Sequence, residues 1–286
     1  GMRKNLSRVI VFLVFAAFAV GCSGYNKLLK IKDYDKMYKA AIAYYNKNKF
    51  EQSQQLFEEV SLYYQNHTRE DTIMYYWGSS FYKTGNFETS GMIFDRFRRQ
   101  FGRSPFVEDV EYMYATGYYF ASPEPNRDQT PTLQAISAIN EYLERYPESI
   151  RKELCLTRID ELYNKLYDKA LLNAKTYYKT GRYKSAVIAL RNALSQYPDS
   201  PHREELLYLT TVSSYQLANN SIPTLQRDRY LDMMDAYYTF IAEFPDSRNR
   251  RELDRMQKTA RDYIASHQGE GESEEEEKYT TNSEIY

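Results

Sequence analysis

Four phrases close helical runs in the same way. Phe101 to Ser104 (FGRS), Tyr146 to Ser149 (YPES), Tyr197 to Ser200 (YPDS) and Phe244 to Ser247 (FPDS) follow one another at 45, 51 and 47 residues. An aromatic residue, a breaker and a serine recur at a period that one globular core has no reason to keep. Periods of this order point to stacked supersecondary units, each burying its face against the next.

The most regular copy is Thr180 to Pro201, TGRYKSAVIALRNALSQYPDSP. Gly181 can take φ > 0 between two helices without a Cβ penalty. Tyr183, Ala186, Leu190 and Ala193 recur at spacings of 3 and 4, as one buried helical face requires. Pro198 disfavours helical geometry at Tyr197, and Asp199 or Ser200 is expected to cap the next helix, with Pro201 in its first turn. The phrase resembles the second half of a tetratricopeptide (TPR) unit in its glycine turn and its aromatic, small, large-apolar and small positions.

With this copy as a frame, the expected fold is all-α: a TPR-like helical-repeat solenoid of about five helix pairs and a C-terminal capping helix. Only 11 Gly and 9 Pro occur in 286 residues, which favours helices. Pair one covers 34–47 and 50–65, with Asn48 at the position of Gly181 and Ser53 and Phe57 matching Ala186 and Leu190. Pair two covers 71–102, turning at Gly85. Pair three begins at Ser104-Pro105 and carries an insertion, 121–131, whose prolines oppose helix, before a helix restarting at Thr132. Pair four has a long first helix, 150–179. Pair five covers 201–218 and 227–244, and an Arg- and Glu-rich helix at 247–266 reads as the polar cap that solenoid ends need. The expected domains are thus repeats one to three (34–147), then repeats four and five with the cap (148–267). The segment 268–286 has a run of Glu and few apolar residues and reads as a disordered acidic tail.

At the amino end, Arg3, Lys4 and Arg8 precede the apolar run Val9 to Val20, about a dozen residues, too short for the ~20 that span a bilayer. Residues 1–21 therefore read as a signal peptide. The run ends in Ala19-Val20-Gly21-Cys22, which resembles a bacterial lipobox. Cys22 is the expected lipid-attachment site, through an N-acyl chain and a diacylglycerol thioether. Each buried CH₂ adds about 0.8 kcal/mol, so several chains anchor stably where one does not. Ser23 after the cysteine favours the outer membrane, by analogy with bacterial lipoproteins, with the body on the periplasmic face. Residues 22–33 read as a lipidated tether. Cys155, within Leu154, Leu156 and Ile159, reads as a buried apolar residue.

The formal charge of −1 conceals a split: the tail 269–286 carries −6 and residues 1–21 carry +3, leaving +2 for the body. A near-neutral body offers no footprint for nucleic acid. His67, His202 and His267 match no metal-ligand spacing, and neither C-x-x-C nor a glycine-rich phosphate loop occurs. No catalytic residue, metal or dissociable cofactor is expected.

The 30 tyrosines are the chemistry present. In TPR-like pairs the first helix lines the inner surface. The frame of Gly78, Gly117 and Ala174 puts Tyr38, Ile42 and Tyr45, then Tyr75, Ser79 and Tyr82, then Tyr114 and Tyr118 on that surface, each set advancing by 3 or 4. Tyr38, Tyr45, Tyr75, Tyr82, Tyr114 and Tyr118 are the candidate peptide groove, with apolar area and a hydroxyl that stays satisfied in water. The same stripe is also what packing between repeats would use. Arg96, Arg98, Arg99 and Arg103 end pair two, where cations complement a helix macrodipole. Arg248, Arg250, Arg251 and Arg255 are the candidate docking surface for an acidic partner domain.

The Ala19-to-Cys22 lipobox, Gly85-Asn86-Phe87, the helix start from Ser104-Pro105 to Gly117, Arg127-Asp128-Gln129 in the insertion and the Tyr-Pro-x-Ser endings together resemble the BamD family, over about 22–266. That family is the lipoprotein component of the bacterial β-barrel assembly (BAM) complex. The resemblance implies a scaffold without catalysis, docked through POTRA domains on a BamA-like barrel protein and receiving unfolded outer-membrane proteins. The alternative is another TPR lipoprotein adaptor, serving cell-envelope, peptidoglycan or carbohydrate-uptake systems.

Overall fold

The computed structural model describes residues 24–267, and among these residues no strand occurs. The signal peptide, Cys22 and the acidic tail lie outside the described residues. Helix α1 covers 24–31. It is followed by α2 (Tyr34–Asn46), α3 (Phe50–Tyr63), α4 (Glu70–Lys83), α5 (Phe87–Gln100), α6 (Val107–Ala121) and α7 (Thr130–Arg145). Then come α8 (Lys152–Lys179), α9 (Tyr183–Gln196), α10 (Arg203–Asn219), α11 (Pro223–Glu243) and α12 (Arg250–Ser266). The fold is the all-α, TPR-like series of hairpins expected.

The repeat rests on two recurrent turns. In the first, Asn48 (φ 57°), Gly85 (φ 79°) and Gly181 (φ 71°) take the left-handed conformation between the helices of a pair. Their N–H groups bond the carbonyls of Tyr45, Tyr82 and Tyr178 at 2.9, 3.1 and 3.1 Å. The next N–H reaches one carbonyl further back, from Lys49 to Tyr44, Asn86 to Phe81 and Arg182 to Tyr177, at 2.9 Å each. These are the orphan carbonyls that a helix end must satisfy. The second turn is the serine ending. Ser104, Ser149, Ser200 and Ser247 each accept at Oγ from the N–H two residues on, at 3.3, 3.2, 3.2 and 3.1 Å.

That second turn corrects the expected start of α10. Ser200 heads a turn of its own, Pro201 falls within it, and α10 begins at Arg203 with His202 before it. α6 likewise begins at Val107, after Ser104-Pro105. Pro223 opens α11 at its first position, where a missing N–H costs nothing, so the helix starts four residues before the expected 227. Pro131 similarly sits in the first turn of α7, which begins at Thr130.

Within 22–33, expected as a lipidated tether, the chain is helical over 24–31. Tyr25 and Leu29, one turn apart, pack on the Met37, Ala41 and Phe57 core, and the Tyr25 hydroxyl donates to Gln55 Oε1 at 2.6 Å. The burial of that face holds the turn of helix in place.

The chain divides into two units. One runs up to Pro123 and includes Thr130–Leu162; the other joins Glu124–Gln129 to the chain from Tyr163 onward. The boundary lies within α8, not before it as the repeat count suggests, and α8 is one continuous helix of 28 residues. In the first unit, small residues let each pair close. Ser53 donates to the Ala41 carbonyl and Ser90 to the Gly78 carbonyl, both at 2.9 Å. Phe94 lies so close to Gly78 that a Cβ there would stand 2.5 Å from its ring. In the second unit, Ala174, Ala186 and Leu190 form the matching core. A further core joins α10, α11 and α12 through Val212, Met233, Phe240 and Leu253. Within the insertion, Gln129 Nε2 donates to the carbonyls of Glu124 and Arg127 at 2.8 and 3.1 Å. Lys169 Nζ reaches the carbonyls of Asn126 and Arg127 at 3.2 and 3.1 Å.

Candidate functional site

The six candidate tyrosines all lie in the first unit, on α2, α4 and α6. All six are half-buried. Most of them reach the next first-helix or the turn that leads into it. Tyr45 on α2 meets Tyr76 on α4 edge-on at 5.0 Å. Tyr82 on α4 meets Thr116 on α6 at 2.8 Å, and Ser79 donates to Met113 Sδ at 3.6 Å. Tyr75 stacks on Phe106 with ring centroids 4.3 Å apart. Tyr38 lies under the Arg69 guanidinium at 4.8 Å. These four seal one hairpin against the next.

Tyr114 and Tyr118 are different. They line a concavity of about 750 Å³ together with Phe87, Gly91 and Met92 of α5, Met113 and Gly117 of α6, and Pro131 and Gln134 of α7. Its walls are mainly apolar, and Glu88, Asp95 and Arg99 stand at its rim. The space exists because glycine faces it twice. A Cβ at Gly91 would meet nothing within 4 Å, and one at Gly117 would come no closer than 3.9 Å to Phe87. Met92 is 64% exposed beside it. The structure thus brings two of the six tyrosines to one cavity and gives the other four to joints between helices.

Sequence reasoning missed the α5 wall. The inner-face frame assigns only the first helix of each pair, so Gly91 and Met92, on a second helix, fell outside it. Their signal is a glycine in mid-helix beside a methionine, without a large neighbour to fill the gap.

The electrostatics hold the cavity in shape. Arg98 passes over the Tyr114 ring at 4.3 Å and reaches Glu141 Oε1 at 2.9 Å and Glu111 Oε1 at 3.8 Å. Glu111, only 4% exposed, is also bonded by Arg145. The buried charge is therefore flanked by two guanidinium groups, the condition under which burial is tolerated. Arg96 pairs with Glu70 at 2.7 Å, and Arg99 pairs with Asp95. Three of the four arginines ending pair two are thus held by carboxylates. Burial, then the bond to Tyr118, pushes the Tyr114 phenol up to about 12, and burial pushes Tyr75 up to about 12. Both are neutral hydrogen-bonding groups at ordinary pH. The arrangement can take an apolar or aromatic side chain and offer phenol hydroxyls to a peptide backbone.

In the second unit, Arg248, Arg250, Arg251 and Arg255 are all exposed at the start of α12. Arg250 donates to the Pro245 carbonyl at 2.8 Å. Arg251 and Arg255 lie one turn apart on one face. Arg248 borders a polar hollow of about 650 Å³ with His202, Glu204, Tyr208 and Asp246. Cys155 is fully buried, and desolvation raises its thiol pKa. Among the described residues no cluster of His, Cys, Asp or Glu could hold a metal, and no helix is long and apolar enough to cross a membrane.

Comparison with known proteins adds three findings. The chain matches the family model described as outer membrane lipoprotein, YfiO, over residues 31–188 and 165–270. It is similar to the outer membrane protein assembly factor BamD of Caulobacter vibrioides, at 25% identity over 114 residues. That stretch is 40% of this chain and only 37% of the length of that relative. Among solved structures it is similar to the TPR2AB-domain:pHSP90-complex of yeast Sti1, with a TM-score of 0.37 and 14% identity over 79% of this chain and 98% of that one. So low a score carries nothing about ligands, and the fold rests on the helices and turns themselves.

Proposed function

The chain belongs to the YfiO family of outer membrane lipoproteins, and from that premise we propose that it is a non-catalytic scaffold of the machinery that assembles β-barrel proteins in the outer membrane. The observation that carries this reading is the extent of the family match, which runs through the hairpins of both units, from residue 31 to residue 270. A relative of partial overlap is named for the same assembly process.

In this reading Cys22 carries the acyl chains that hold the body at the periplasmic face. Unfolded outer-membrane proteins are received on the first unit, where the cavity of Tyr114, Tyr118, Met113 and Phe87 takes an aromatic side chain. The exposed arginines of α12 support docking on an acidic face of a BamA-like barrel protein's POTRA domains. The preference for a scaffold over an enzyme rests on what the cavity offers: the Tyr114 phenol held neutral and Asp95 already paired with Arg99.

The test is affinity capture of the acylated protein from detergent-solubilised outer membrane. Recovery of a POTRA-bearing barrel protein, lost on Arg251→Glu with Arg255→Glu, is expected. Recovery of peptidoglycan enzymes or sugar-uptake proteins, with no such barrel, would overturn the reading in favour of another envelope adaptor.

A further inference from the structure

Helix α1 has two faces. The inner one, Tyr25 and Leu29, belongs to the first core. The outer one carries Lys27, Lys30 and Ile31, all exposed, with Ile31 at 61%. Between α1 and the start of α2 lies a cavity of about 260 Å³ lined by Gly24, Lys27, Leu28, Ile31, Asp33 and Lys36. Its floor is aliphatic and its rim is cationic.

The one carboxylate in it is engaged. Asp33 accepts from the Lys36 N–H at 3.1 Å, capping α2, and holds Lys36 Nζ at 2.9 Å. Asp35, whose charge acts on Asp33, is held by Lys39 at 2.7 Å and Arg69 at 2.8 Å, and Glu59 stands 3.7 Å from Lys32 Nζ. Five lysines (Lys27, Lys30, Lys32, Lys36 and Lys39) and Arg69 therefore stand against three carboxylates (Asp33, Asp35 and Glu59) at this end of the unit. Cys22 precedes Gly24 by two residues, at most about 7 Å of extended chain.

We infer that α1 is an interfacial helix whose outer face and cavity bind the anionic phospholipid surface of the bilayer to which the chain is tethered. Lys27 and Lys30 meet headgroup phosphates, and Ile31 and Leu28 enter the boundary with the acyl chains. Lysine stems lie along apolar surface while their ammonium groups reach the phosphates. A helix with an apolar-and-basic face lies in the interface, and α1 is far short of the ~20 residues that span a bilayer. The proposal rests on the lipid anchor at Cys22, because one tether without a second contact leaves the body free to swing. With α1 seated, the first unit stands in one orientation to the membrane.

The test uses the acylated protein in vesicles of phosphatidylcholine alone or with phosphatidylglycerol, and in detergent. Amine-reactive labelling is read by mass spectrometry, with the exposed Lys152 as internal reference. Lys27 and Lys30 are expected to be protected in the phosphatidylglycerol vesicles and not in phosphatidylcholine or detergent. Each lysine replaced by glutamine should lower the protected fraction's binding constant about fivefold, the equivalent of ~1 kcal/mol per cation near an anionic surface. Ile31→Asp should act in the same direction without loss of helicity by circular dichroism. Equal labelling in all three media, with acyl mass present on Cys22, overturns the interfacial helix and leaves the anchor standing. An unmodified Cys22 overturns the anchor and the inference together.

Discussion

Tyr82 on α4 shares a 2.8 Å hydrogen bond with Thr116 Oγ1 on α6, and Thr116 donates its own proton to the Tyr112 carbonyl at 2.7 Å. Since Thr116 has one proton, Tyr82 must be the donor. The hydroxyl joins successive hairpins and is withdrawn from any ligand. Tyr82→Phe should cost about 1 kcal/mol, and Thr116→Val about the same. The double variant should cost less than their sum, because both remove one bond. Denaturant unfolding of the four proteins checks this; strict additivity would break the link.

The glycines separate packing from vacancy. Gly78→Ala drives a Cβ against Phe94 at 2.5 Å and should lose about 1–3 kcal/mol through overpacking. Gly91→Ala meets nothing within 4 Å and should gain about 0.5–1 kcal/mol from helix propensity. Opposite shifts in Tm are the expected result, and a loss at both positions would mean that the cavity beside Gly91 is closed.

Filling that cavity should affect binding and not folding. Gly91→Leu, or Tyr118→Ala, is expected to weaken photocrosslinking of an aromatic-ended barrel peptide about tenfold or more at unchanged helicity, a loss of roughly 1.4 kcal/mol or more. Tyr75→Phe, on the stacked joint with Phe106, should leave crosslinking as it was. Crosslinking that follows Tyr75 instead would move the receiving surface off the cavity.

Glu111 is buried between Arg98 and Arg145. Glu111→Leu leaves two arginines facing each other without their counter-charge and should cost about 3 kcal/mol. The urea midpoint should fall with the slope unchanged. A change under about 1 kcal/mol would show that solvent already screens the cluster.

The tyrosines give the alkaline limit. Tyr75 and Tyr114 have folded-state values pushed to about 12, above an unfolded value of about 10. Their neutral forms are favoured by folding, so the contribution is fully present below about pH 10 and is lost as pH rises toward 12. Phenolate absorbance should therefore appear in two stages, exposed tyrosines first and these two, with Tyr208 and Tyr237 that are likewise pushed up to about 12, only near the unfolding transition. A single transition near pH 10 with the helices intact would contradict the burial.

The repeat was legible because its signals are local. Asn48, Gly85 and Gly181 share one left-handed position, and the serine endings share one turn, so spacing alone located them. Helix starts slipped by two to four residues at α6, α10 and α11, because proline in a first turn is as acceptable as proline in the preceding loop. The site was half legible. A face assignment finds Tyr114 and Tyr118 but cannot say which tyrosines a neighbouring helix will cover. Tyr45, Tyr75 and Tyr82 were covered by Tyr76, Phe106 and Phe120, residues drawn in by packing between hairpins. α1 escaped notice because one short helix carries too few periods to be seen without the core beneath Tyr25 and Leu29.

The serine turns have one more consequence. Each closes on itself: Ser104, Ser149, Ser200 and Ser247 donate backbone N–H groups to the aromatic residue three before them, and the N–H three further on returns to each serine's carbonyl. The backbone ring of each seam is local, while the Ser104 and Ser149 hydroxyls tie it to the preceding hairpin by donating to Asp71 and Glu108 at 2.7 and 3.0 Å. In a chain stacked from such units, folding can start in more than one hairpin and spread to its neighbours. Evolution can cut and rejoin it at the same places, adding or losing a hairpin while the geometry of the splice is preserved.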